Sequence, residues 1–192
     1  MALRNAASIR LLGVAVVLAA AALACVADAA PAGTIEYEIK ATYLYKFAPF
    51  VEWPQSMAAT PAFNLCIVGD DPVVAALDQA AKGQSVGGRA LVVKHVPIAA
   101  PDAGCQVMYI AGSDAQSVTQ ALVAMRGAPV LTVTDEASHP NDRGIISFVI
   151  DANHVRFDID DVAAAQSGLV ISSKLLGLAH SVKTAGTEGH GG

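Results

Sequence analysis

The chain has 192 residues, is 54% hydrophobic and 15% charged, and carries a formal net charge of −5. That length suits one domain with a full core. An acidic balance without a basic cluster excludes a nucleic-acid footprint, and no polybasic segment suggests a membrane surface.

Residues 1–29 read as a secretory signal peptide. Arg4 and Arg10 form a positive n-region, Leu11 to Ala24 an uncharged apolar h-region, and Ala27-Asp28-Ala29 a small-x-small cleavage site. The apolar run is short for a membrane span, and Cys25 does not sit in a correctly ordered lipidation box. Cleavage near Ala29 leaves one domain, residues 30–183, and a Gly-rich tail, 184–192, expected to be disordered.

The stretch from Ile35 to Trp53 is expected to be a long helix ended by Pro49, with Thr34 as N-cap. Ile35, Ile39, Tyr43 and Phe47 recur every four residues on one side, and Leu44, Ala48 and Val51 form a second row beside them. Six of the ten aromatic residues fall here. They anchor the helix onto a sheet, or some of them face a partner protein.

Phe63 to Val68 reads as a buried strand. Asp71 caps a helix that begins at Pro72 and closes at Gly83. Leu91 to Val96 and Gln106 to Ile110 are the next strands, joined by a Pro-punctuated connection too short for a helix. Ser113 and Gln116 form a capping box for a helix ending at Gly127, and Val130 to Thr134 is a fourth strand. After the polar loop from Asp135 to Gly144, Ile145–Ile150 and Val155–Ile159 form a hairpin. Asp161 caps a short helix, and Leu169 to Val182 is a final amphipathic helix. Strands alternating with helices predict an α/β layered fold: a mostly parallel sheet flanked by helices, with a C-terminal antiparallel hairpin.

Two cysteines remain after cleavage, Cys66 and Cys105, each at the start of an apolar run. An even count in an oxidising compartment favours a disulfide; two buried free thiols are the other reading. Catalytic motifs are absent. There is no G-x-G-x-x-G, no P-loop and no G-x-S-x-G, and Ser172-Ser173-Lys174 is not S-x-x-K. The histidines make no metal-ligand pattern, so no metal, cofactor or enzymatic activity is expected. Gly69-Asp70-Asp71 ends a strand where ligands bind in such sheets, which keeps a small-molecule binding module open as an alternative function.

In the last predicted helix, Leu169, Leu175 and Leu178 are expected to pack inward. That leaves Val170, Ile171 and Leu176 as an exposed apolar patch of the kind that marks protein interfaces. Tyr43 and Trp53 are the next candidates for partner binding.

The segments Lys40-Ala41-Thr42-Tyr43-Leu44-Tyr45-Lys46-Phe47, Phe50-Val51-Glu52-Trp53-Pro54 and Leu65-Cys66-Ile67-Val68-Gly69-Asp70-Asp71-Pro72 resemble the YfiR/HmsC-like family. So do Gly144-Ile145-Ile146-Ser147-Phe148 and Ile171-Ser172-Ser173-Lys174-Leu175-Leu176. The resemblance implies a periplasmic negative regulator that acts on the periplasmic part of a membrane-bound diguanylate cyclase and lowers cyclic-di-GMP output and biofilm formation. It leaves room for an outer-membrane lipoprotein as a second partner and for a homodimer. It also implies a disulfide between Cys66 and Cys105; a second family disulfide has no cysteines here to form it.

Overall fold

Apolar residues at helical and strand spacing alternate along the chain, and the elements follow them. The computed structural model describes residues 32–58, 60–135 and 139–186. The expected signal peptide and residues 187–192 of the expected tail lie outside the described residues. In chain order the elements are α1 (Ala32–Lys46), β1 (Val51–Glu52), α2 (Gln55–Ala58), β2 (Ala62–Gly69), α3 (Pro72–Ala80), β3 (Ser85–Val86), β4 (Arg89–Val96) and β5 (Val107–Gly112). Then come α4 (Val118–Ala124), β6 (Leu131–Thr134), β7 (Ile146–Asp151), β8 (His154–Asp160), α5 (Asp161–Gln166), β9 (Val170–Ile171), α6 (Ser173–Leu176) and β10 (Ser181–Lys183).

Eight strands form one sheet in the order β10-β8-β7-β6-β5-β2-β4-β3. Pairing is parallel except at β3–β4 and at the β7–β8 hairpin. The expected mostly parallel α/β sheet with its late hairpin is therefore present. A separate two-stranded antiparallel sheet pairs β1 with β9.

The central strands are covered on both faces, which is why β2 and β5 read as near-continuous apolar runs. Phe63, Leu65 and Ile67 of β2 and Tyr109 of β5 face the core under α1 and α3. Cys66, Val68, Met108 and Ile110 face the opposite core, together with Ala121 of α4 and Met125, which caps it. On this second face Cys66 and Cys105 form a disulfide across neighbouring strands, with Cα atoms 5.8 Å apart. At the end of β2 the backbone turns at Gly69 (φ +94°), where any Cβ would stand 1.8 Å from the Gly112 carbonyl oxygen. Only glycine fits that approach.

Several local expectations are corrected. α1 begins at Ala32, so Thr34 lies inside its first turn. The capping box belongs to Ser117 and Gln120, four residues after the expected one. Gln116 is diverted, because its side-chain carbonyl accepts the Ala99 N–H at 2.7 Å. Asp160, not Asp161, caps α5 by accepting the Ala163 N–H at 2.9 Å.

The largest correction concerns Leu169 to Val182, which is no single helix. Gly168 takes a left-handed conformation (φ +69°), and Val170–Ile171 then pairs with β1 in the register Val51↔Ile171. Ser172 caps only the short α6, and β10 returns to lie parallel to β8. β-Branched Val170 and Ile171 favour an extended pairing once β1 offers free backbone groups.

Closing a loop of 39 residues, the disulfide stabilises by about 4 kcal/mol on the chain-entropy model. Replacing both cysteines by Ala should lower urea stability by about 2–5 kcal/mol without changing the circular dichroism of protein that remains folded. Unchanged urea midpoints would show that the bond contributes nothing.

Candidate docking groove

The rotation of α1 about its own axis decides which of its residues meet solvent, and Lys40 sets that rotation. Lys40 is buried, 3% exposed. Its ammonium donates to both Asp135 carboxylate oxygens, at 2.7 and 2.9 Å, and to Glu36 Oε1 at 2.5 Å. Asp135 directly follows β6, so the ion cluster ties the helix to the carboxyl end of a central strand. Burial by itself lowers the Lys40 pKa, but the hydrogen bonds that Lys40 donates to Asp135 and Glu36, with their charges, outweigh it and hold the ammonium above its ordinary range. Behind the sheet end lies the buried Tyr109 hydroxyl, close to the Asp71 carboxylate. Burial, then the Asp135 and Asp71 carboxylates, push its pKa far upward, so it stays a neutral phenol.

With Lys40, Ala41 and Leu44 facing inward, Ile35 and Ile39 face out, 52% and 38% exposed. The row expected on one side of the helix is thus divided, with Phe47 buried and its first two residues, Ile35 and Ile39, exposed. Their row runs along a cleft of about 410 Å³ whose other wall is Ile150 and Val155 of the hairpin. Past Tyr43 and Val155 the cleft continues into a second hollow of about 310 Å³, lined by Phe50, Leu175 and Leu178 with Lys46 and Arg156 on its rim. The floor is firm. Tyr43, Phe47, Phe148 and Phe157 form a ring cluster with centroids 5.0–6.3 Å apart. Such offset and edge-on contacts hold the helix against the hairpin.

Of the residues singled out from the sequence, Tyr43 stands in the groove. Val170 is exposed, 60%, but on β9. Ile171 is buried and pairs with Val51, and Leu176 is half-buried. Leu178 was expected inside and is 61% exposed. Trp53 is half-buried: its indole N–H donates to the Gln106 carbonyl at 3.3 Å, and its ring stands edge-on to Phe63 at 5.6 Å. The Ile35/Ile39 repeat was the visible signal for the groove. Nothing in the sequence said that Lys40 would take the inward side.

The strand ends near Gly69 and Asp70 are filled differently. Gly69 packs on Gly112, and the Asp71 carboxylate is engaged by the Val73 N–H at 2.7 Å. Among the described residues no group of three His, Cys, Asp or Glu side chains is placed to hold a metal ion. Also among the described residues, no helix is long and apolar enough to cross a membrane.

These features define a disulfide-tied α/β domain with an apolar groove between its first helix and its hairpin. A YfiR/HmsC-like family model matches residues 37–180, and the chain belongs to that family. No curated protein matches the sequence. The fold is similar to the crystal structure of a conserved domain protein from Vibrio cholerae, with a TM-score of 0.51 at 16% identity. That match spans 77% of this chain and 60% of the other, and at such identity it speaks to the fold alone.

Lys40→Met should lower stability by roughly 1–3 kcal/mol, less than for a fully buried pair because Asp135 and Glu36 keep some solvent. A raised lysine pKa stabilises fully below the unfolded value of about 10.4 and is lost as pH climbs through the folded value. Wild type should therefore lose stability above about pH 10.5 more steeply than Lys40→Met. Parallel curves for the two proteins would contradict the assignment.

Proposed function

We propose that the chain is a periplasmic negative regulator that binds the periplasmic part of a membrane-bound diguanylate cyclase and lowers cyclic-di-GMP signalling and biofilm formation. Its family membership supports the regulatory reading. A secretory leader and a disulfide agree with an oxidising compartment.

One observation carries the choice of surface. Of the eight exposed large aliphatic side chains among the described residues, four line the continuous groove: Ile35, Ile39, Ile150 and Leu178. The others lie on other elements. A contiguous apolar furrow with a polar rim suits an amphipathic helix laid along it. Lys46 and Arg156 favour acidic residues on that helix at the Leu178 end. Binding there restrains the cyclase by holding its periplasmic part in one arrangement.

Ile39→Glu and Leu178→Glu should each fold normally by circular dichroism and raise cyclic-di-GMP to the level of a deletion strain. Ile171→Glu, placed in the core, should instead abolish soluble protein. If both groove variants fold and still repress as wild type does, the groove is not the contact surface.

A further inference from the structure

A second hollow lies between α4, α5 and the loop that leads into β7. It is a cavity of about 410 Å³, and it shares no lining residue with the groove. Its walls are held from behind. The Thr119 hydroxyl donates to the Asp142 carboxylate and pins the loop from Pro140 to Arg143 against α4. On the sheet side the buried Thr132 hydroxyl accepts the Ile145 N–H at 3.1 Å. The cavity is therefore built before any ligand arrives, which lowers the ordering cost of binding.

Three charged residues line it: Arg126, Arg143 and Asp160. The Asp160 carboxylate is already engaged. One oxygen accepts the Ala163 N–H at 2.9 Å, and the other accepts the Lys183 ammonium at 3.2 Å. Arg143 gives Nη1 to Asp158 at 2.7 Å and keeps its other N–H donors. Arg126, exposed just past α4, makes no side-chain hydrogen bond or ion pair among the described residues. In a chain of net charge −5, this cleft is locally positive and draws anions.

The remaining wall says what kind of anion. Val123 is 52% exposed, and it lies on this cavity beside Leu122 and Ile145. An inorganic anion would leave that apolar surface bare. A planar carboxylate matches the guanidinium fork. A hydrocarbon body attached to it would cover Val123 and Leu122. The volume falls within the range of sites for small organic ligands.

We propose that this cavity binds a small organic carboxylate, its charged group held by Arg126 and Arg143 and its apolar body laid on Val123 and Leu122. The site lies apart from the groove, so the two proposals stand or fall separately.

Amide chemical-shift titration of the exported, purified chain at neutral pH tests it. Phenylacetate is the probe, phenylacetamide its uncharged control, and inorganic phosphate the anion without an apolar body. Phenylacetate should shift the amides of Val123, Gly127, Gly144 and Ser167 and saturate. Phenylacetamide and phosphate should each bind about tenfold or more weakly, because each loses one half of the recognition. Arg126→Gln should fold as wild type by circular dichroism and weaken phenylacetate to a similar degree. Absence of saturable shifts at these amides overturns the proposal. So does an amide or phosphate that binds as tightly as the acid, or an Arg126→Gln variant that binds it like wild type.

Discussion

A single lysine ammonium, taken out of water, constrains much of this molecule. Isolated in the interior, the Lys40 charge would cost several kcal/mol. Asp135 and Glu36 offset that cost by standing at 2.5 to 2.9 Å. The ammonium can reach Asp135 only if α1 presents Lys40 to the end of β6. With a helical period of 3.6, fixing one residue fixes the others: Ala41 and Leu44 follow Lys40 inward, and Ile35 and Ile39 are turned to solvent. An exposed apolar row on this helix is thus a consequence of burying a charge on its other side.

The sheet gives that helix something rigid to lie on. Buried on both faces, β2 and β5 leave little room for adjustment, and the Cys66–Cys105 bond ties them together on the face away from α1. The stacked, tilted and edge-on rings of Tyr43, Phe47, Phe148 and Phe157 then fix the distance between α1 and the hairpin. Both groove walls are held by packing that lies beneath them, so the groove exists before any partner arrives. A preformed surface loses less entropy on binding than one that must order itself.

Where local chemistry dominates, the fold was legible in the sequence. Asp71-Pro72 and Gly83 bounded α3, and Asp151 to His154 marked the hairpin turn. Two cysteines, each opening an apolar run in the sequence, favoured the bond that the structure shows between them. Where the outcome depended on a distant partner, the sequence misled. Val170 and Ile171 carry a helical apolar period, yet the backbone of β1, more than a hundred residues earlier, draws them into a strand. The side of α1 that packs was hidden for the same reason. Lys40 resembles an ordinary solvated lysine until Asp135, 95 residues away, is placed beside it. The groove was consequently half visible, through Tyr43 and the shared side of Ile35 and Ile39, while Leu178 was expected inside.

Lysine reactivity tests this orientation most directly. Brief treatment of the native protein with an amine-acylating reagent, followed by peptide mass spectrometry, should modify exposed Lys46 and Lys82 and leave Lys40 unmodified until the protein is unfolded. Native-state labelling of Lys40 at the rate of Lys46 would contradict the account, because α1 would then not be docked through its buried ion cluster and the Ile35–Ile39 row would have no reason to face the groove.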